Sequence, residues 1–118
     1  SYTAYALIIE ELAAACASTS IICSAHNSLC VWPILEYGTP EQKEEFLIPL
    51  AKGEKLGCFA LSEPGSGSDA AALICTVKRE GDDFIVNGTK NWITNGPKAD
   101  VCVLFVTHDT ARGHKAIS

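Results

Sequence analysis

The sequence predicts an α+β fold, with a helical part over residues 1–55 and a β-rich part over residues 56–118. Three observations carry this. The first half is dense in Ala, Leu and Glu and holds strong helix-capping signals. Past Gly53 the apolar residues gather into short runs of β-branched and aromatic side chains. Those runs are separated by Gly-Asp-Asp, Asn-Gly and Asn-Gly-Pro, the chemistry of tight turns.

From Tyr2 to about Ala17, apolar residues lie on nearly every face, which predicts a helix packed on more than one side. The longer run "AYALIIEELAAACASTSIICSA" is broken by Glu10, Glu11 and a Ser-Thr-Ser stretch. It reads as a buried helix, because a membrane span needs about 20 clean apolar residues. "SAHNSLCVWPILEYG" keeps helical spacing, but Pro33 removes a backbone donor and is expected to kink or divide the helix before Gly38 ends it. In "TPEQKEEFLIPLAKGE", Thr39 is the N-cap, Pro40 the first helical residue and Gln42 the partner of a capping box. Glu41 sits at the positive end of the helix dipole, and Gly53 is the expected stop.

Strands are expected in "LGCFAL", "LICTVKRE", "DFIVNG", "KNWITNG" and "VCVLFVT", paired antiparallel, with "REGDDFIVNG" a hairpin turning at Gly81 to Asp83. "HKAIS" reads as the opening of another strand, which predicts that the chain is a piece of something longer.

The net charge of −5, from 14 acidic and 9 basic residues, excludes the concentrated basic face that nucleic acid or an anionic membrane requires. An apolar fraction of 47% is ample for a packed interior. No internal repeat, targeting segment or low-complexity linker is recognisable. The six cysteines form no C-x-x-C and sit in apolar segments, which predicts free buried thiols in a reducing compartment. Cys16, Cys23 and Cys30 recur at heptad spacing, expected of a packing stripe and not of a zinc site. His26, His108 and His114 fall in no metal-ligand spacing and read as surface or satisfied core residues.

Two stretches carry possible chemistry. In "CFALSEPGSGSDAA", glycines at positive φ and short serines would make a concave, donor-rich cradle able to hold a pyrophosphate. The alternative is a bare tight turn at Pro64-Gly65. The stretch is neither a Walker A loop nor a dinucleotide fingerprint, and Glu63 and Asp69 oppose an anion unless they turn away, with Asp69 bonding the loop's own amides. In "NGTKNWITNG", strand alternation would put Trp92 and Thr94 on one face and Ile93 on the other, offering an aromatic plane and a hydroxyl to a flat ring. The alternative is that Trp92 is simply core.

Taken together, "FALSEPGSGSDAA" followed by "NGTKNWITNG" resembles the flavin-binding signature pair of the acyl-CoA dehydrogenases. "YALIIEELAAACASTS", "NSL" and "GTPEQKEEFLIPLAKGEKLGCFALSEP" resemble the region just upstream, so the match runs through essentially the whole chain. Among subfamilies the short-chain, butyryl-CoA type is the most similar. The resemblance implies an N-terminal helical domain and an antiparallel, β-barrel-like middle domain, both partial.

By that resemblance the cofactor is FAD. Phe59, Ala60, Leu61, Ser62, Gly65, Gly67 and Ser68 would border it, and Trp92, Ile93 and Thr94 match the family's Trp-Ile-Thr at the isoalloxazine. The Ser62 position would meet the pyrimidine edge, the Thr94 hydroxyl flavin N5, and Ser68 both FAD and the CoA moiety. Donors at the pyrimidine edge stabilise the charge that arrives with hydride. Ile22, Ala25 and Leu29 would line the acyl-chain pocket. Trp32 either shortens that pocket or fills a core gap. The implied reaction is α,β-dehydrogenation of a short-chain acyl-CoA to the trans-2-enoyl-CoA, as in fatty acid β-oxidation. By the same resemblance the α-proton is taken by a glutamate on a C-terminal helical domain outside this chain, and Glu10, Glu11, Glu36 and Glu63 read as solvated or capping residues. The implied partners are the acyl-CoA substrate and electron-transfer flavoprotein, within a homotetramer. The implied location is the mitochondrial matrix in a eukaryote and the cytoplasm otherwise. An acyl-CoA oxidase-like enzyme and a non-catalytic interaction module of the same fold are the alternatives.

Overall fold

The computed structural model describes residues 1–118, which pack as two units: Ser1–Phe59 with Thr94–Val103, and Ala60–Ile93 with Leu104–Ser118.

In the first unit, α1 (Tyr2–Ala15) is capped by Ser1, whose hydroxyl accepts the Ala4 N–H. It stops where Cys16 turns extended, at φ −159° and ψ 106°, before α2 (Ala17–Ser24). The expectation of a buried helix is corrected here: no residue of α1 is buried, and Leu7 and Ile8 are more than half exposed. Its all-round apolar pattern has no matching cover among residues 1–118. α2 is tied back by the buried Ser20, whose hydroxyl donates to the Ile9 carbonyl at 3.0 Å. The heptad cysteines do not form a stripe, because the break at Cys16 resets the helical phase. Cys16 is exposed and Cys30 fully buried.

Pro33 and Pro49 act on the turn before them. Ala25–Val31 is a π-helical turn closed by the Trp32 N–H on the Asn27 carbonyl, and α3 (Trp32–Tyr37) follows. α4 (Pro40–Gln42) begins with the expected capping box, Thr39 N–H to Gln42 Oε1 at 2.9 Å and Gln42 N–H to Thr39 Oγ1 at 3.3 Å. Lys43–Leu47 is then a second π-helical turn, closed by the Ile48 N–H on the Lys43 carbonyl, before α5 (Ile48–Ala51). A proline ring crowds the carbonyl four residues back and brings no N–H to it; widening the preceding turn accommodates both defects. The sequence reading expected Pro33 to kink or divide the helix and passed over Pro49; at both, the preceding turn widens and the helical backbone runs on. Gly53, left-handed at φ +73°, follows the end of α5.

The core of this unit centres on Cys30 and Leu50, against which β1 (Gly57–Ala60) is laid. A Cβ on Gly57 would lie 2.5 Å from Cys30 Sγ, so only glycine permits the approach. Around it, the Gly57 N–H donates to His26 Nδ1 at 2.9 Å, which leaves Nε2–H to donate to the Leu50 carbonyl at 3.2 Å. His26 is thus half-buried with both ring nitrogens satisfied. Asn95 Nδ2 donates to the Gly57 carbonyl, and Asp100 Oδ2 accepts the Leu56 N–H. β4 (Val101–Leu104) pairs with β1.

In the second unit, β2 (Thr76–Glu80) and β3 (Asp83–Asn87) form the expected antiparallel hairpin, in register Val77↔Val86 and turning at Gly81. Cys75, Val77 and Val106 form its core, with the buried Thr107 beside them. Pairing is not antiparallel throughout. Thr107 bridges Thr76 in parallel, its N–H on the Cys75 carbonyl and its carbonyl taking the Val77 N–H. "HKAIS" pairs over its last three residues, Ile117 bridging Thr107 between the backbone bonds of Ser118 with Val106 and of Ala116 with His108, after 3-10 turns within Thr110–Ala116 that break at Gly113. The strands make separate two-stranded sheets, β1-β4 and β2-β3, and close no barrel. No helix is long and apolar enough to cross a membrane.

Candidate functional site

The bend after β1 is built from the inside outward. Glu63 and Ser66 exchange backbone bonds, Glu63 N–H to Ser66 O at 2.8 Å and Ser66 N–H to Glu63 O at 3.2 Å, so Pro64-Gly65 is a tight turn. Ser66 is buried, and its hydroxyl donates to the Asp69 carbonyl at 2.8 Å. Asp69 therefore serves the bend through its backbone, where the sequence reading had expected its carboxylate to bond loop amides.

Glu63 is not a solvated turn residue. It is 5% exposed, its Oε2 accepts the Ile74 N–H at 2.7 Å, and its Oε1 accepts the Cys75 N–H at 2.9 Å and the Lys90 ammonium at 2.7 Å. Burial pushes its carboxyl upward, but the Ile74 amide, the Lys90 ammonium and the Cys75 amide outweigh that and hold it below the usual range. Lys90 also donates to the Leu61 carbonyl at 3.0 Å. One residue on, the Asn91 N–H donates to the Ser62 carbonyl at 2.8 Å. The two signature stretches are thereby fastened to each other within the second unit.

"KNWITNG" forms no strand. Trp92 has φ +60°, a left-handed conformation that for a bulky residue stores about 1–3 kcal/mol and ends any pleat. The expected alternation of Trp92 and Thr94 against Ile93 is lost with it. Nor is Trp92 core: it is 93% exposed. Strain at an exposed aromatic next to a buried ion pair marks a group held ready for something outside the chain.

The outer flank of the bend is open. Gly65 and Gly67 are not left-handed, against expectation, and a Cβ on either would meet no atom within 4 Å. Ser68 is exposed and Ser62 half-buried, and neither hydroxyl takes part in the bonds that fold the bend. Uncommitted hydroxyls, bare backbone and a bared indole in one unit are the donor set and stacking surface that a flavin nucleotide requires, so these residues fit FAD.

The remaining expected residues are distributed as follows. Ala60, Leu61 and Ile93 belong to the second unit with the bend, whereas Phe59 and Thr94 belong to the first. Ile22, Ala25 and Leu29 also lie in the first unit. Ile22 lines a cavity of about 350 Å³ with His26, Lys55, Leu56 and Asp100, Ala25 is buried, and Leu29 is partly exposed. The π-helical turn beginning at Ala25 rotates Leu29 away from the row that ordinary helical spacing would give. Trp32 fills no core gap; it is 43% exposed and stands edge-on to Tyr37, ring centroids 5.9 Å apart. Sequence reasoning missed Lys90 and Asn91. The available signal was Glu63 itself, since a carboxylate directly behind an apolar strand needs a cation.

Residues 58–118 match the family "Acyl-CoA dehydrogenase, middle domain", and residues 1–54 match "Acyl-CoA dehydrogenase, N-terminal domain". The chain belongs to the acyl-CoA dehydrogenase family. It is 50% identical over 117 residues to the mitochondrial short-chain specific acyl-CoA dehydrogenase of Mus musculus, covering 99% of this chain and 28% of that protein. Among solved acyl-CoA dehydrogenases, it is similar to butyryl-CoA dehydrogenase from Megasphaera elsdenii, with a TM-score of 0.92 and 43% identity over 96% of this chain and 30% of that one. It is likewise similar to a Mycobacterium smegmatis glutaryl-CoA dehydrogenase solved in complex with FADH2, with a TM-score of 0.84 and 43% identity over 87% of this chain and 27% of that one. The chain thus spans under a third of the length of these acyl-CoA dehydrogenases.

Proposed function

We propose that this chain supplies the flavin-facing bend and tryptophan of an FAD-dependent acyl-CoA dehydrogenase that converts a short-chain acyl-CoA to its trans-2-enoyl-CoA. The observation that carries the reading is the fastening of Ser62 and Glu63 to Asn91 and Lys90, with the strained, exposed Trp92 immediately beyond. In this reading the bend at Gly65 and Gly67 admits the pyrophosphate to bare backbone, Ser62 donates to the ring edge and Ser68 to the thioester side. Trp92 flanks the ring and keeps water from one face of it. The bound flavin supplies a two-electron acceptor for hydride from the substrate β-carbon.

No carboxylate of residues 1–118 takes the role of α-proton acceptor in this reading. Glu63 is the buried one, and its oxygens are engaged by Ile74, Cys75 and Lys90. We infer a helical N-terminal domain over 1–55 and a middle domain over 56–118, assembly as a homotetramer, and electron-transfer flavoprotein as the electron acceptor. The location would be the mitochondrial matrix in a eukaryote and the cytoplasm in a bacterium.

The test is reconstitution of the full protein with FAD. Flavin absorbance that co-purifies, falls with Trp92→Ala, and bleaches on anaerobic addition of butyryl-CoA is the expected result. Colourless protein that takes up no FAD overturns the proposal, and stoichiometric hydrogen peroxide on reoxidation moves it to the oxidase class.

A further inference from the structure

We propose that Lys90 and Glu63 are a positioning pair, whose buried contact sets the backbone on which Trp92 stands and so determines how the indole is presented to the flavin. This rests on the flavin reading above. Trp92 is too exposed to be placed by its own packing, and its φ of +60° is not one a tryptophan adopts unaided. What fixes it must be the backbone leading into it. That backbone is anchored at consecutive residues, Lys90 by its ammonium on Glu63 Oε1 and the Leu61 carbonyl, and Asn91 by its N–H on the Ser62 carbonyl.

The pair is more than a stabilising contact. Its side chains are 9% and 1% exposed, and charges so far removed from water could be replaced by apolar groups with little loss of stability. What apolar groups would lack is direction. Lys90 spends two of its three N–H bonds across the Leu61–Glu63 bend, and Glu63 uses both oxygens to join that bend to Ile74 and Cys75 as well. Three chain segments are thereby locked in one orientation at the root of the tryptophan. Fixing the register of the segments it joins is the best-attested use of such a pair.

The test uses the full protein with every tryptophan but Trp92 replaced by phenylalanine, Trp32→Phe being the one replacement within residues 1–118, and titrates FAD while following Trp92 fluorescence. Lys90→Met and Glu63→Gln are expected to weaken FAD affinity roughly 10-fold to 100-fold, the range for residues that orient a binding group through hydrogen bonds. They should also reduce the maximal quenching of Trp92, and Lys90→Arg should recover part of both. Leu50→Ala, in the first unit's core, serves as a control that loses stability without losing quenching. Undiminished quenching amplitude and affinity in folded Lys90→Met or Glu63→Gln overturns the positioning role and leaves the flavin reading intact. If those two fail to fold, Lys90→Arg decides, unchanged quenching again overturning it. Absence of quenching in the parent protein overturns the flavin reading itself, and equal loss of quenching in Leu50→Ala reduces the pair to a structural one.

Discussion

At Gly57 a methyl group would lie 2.5 Å from Cys30 Sγ, whereas at Gly65 or Gly67 it would meet nothing within 4 Å. The same residue type thus answers to different neighbours at the start of β1 and beyond its end. Upstream, glycine is required by the chain's own packing. Downstream, neither packing nor backbone conformation requires it, yet the bend beneath is fixed by a buried ion pair and a set of directed hydrogen bonds. A rigid foundation under an unfilled surface is what a site for an external group looks like. The stability of the first region and the binding capacity of the second should therefore separate under mutation.

The largest loss should come from the foundation itself. Glu63→Leu leaves the Lys90 ammonium buried without its anion and strips the Ile74 and Cys75 amides of their acceptor, which should cost about 3–5 kcal/mol in urea unfolding. Next is Gly57→Ala, where overpacking against Cys30 and Leu50 should cost about 1–3 kcal/mol. If Gly57→Ala proved neutral while Gly65→Ala destabilised, the contrast between the two regions would be reversed.

A smaller, pH-dependent effect separates the regions further. Because the Glu63 carboxyl is held below its usual 4.5 in the folded chain, its contribution is fully present above 4.5 and is lost as pH falls through the folded value. Urea midpoints recorded from about pH 7 to about pH 3 should fall more steeply for the parent than for Glu63→Gln. Parallel slopes would show that folding does not hold the Glu63 carboxyl low and that its ionisation adds nothing to stability.

Much of this arrangement was legible in the sequence, because much of it is local. Thr39 and Gln42 cap a helix, Gly81 turns a hairpin, and the serine-rich bend is where its quoted residues lie. What escaped was non-local or stored as strain. Lys90 reads as an ordinary surface lysine until the fold brings it to Glu63, and no pattern of alternation betrays that Trp92 is left-handed. The π-helical turns escaped at Pro49 because a proline in a helix announces a defect without saying which side absorbs it. The exposure of α1 escaped for another reason, since an apolar face shows that something covers it and leaves unsaid what does.

The smallest effect on stability carries the most functional weight. Gly65→Ala and Gly67→Ala add a methyl group to open space on a backbone that alanine adopts without left-handed strain, so unfolding free energy should change by less than about 0.5 kcal/mol. The same methyl groups would stand where a phosphate must come to bare amides, and FAD affinity, measured by fluorescence titration, should fall by about tenfold, a 1.4 kcal/mol effect. A change in stability with no change in FAD binding would mean that these glycines serve the bend alone. Loss of binding at constant stability assigns them to the ligand, because only a group outside the chain can be obstructed by an atom that touches nothing inside it.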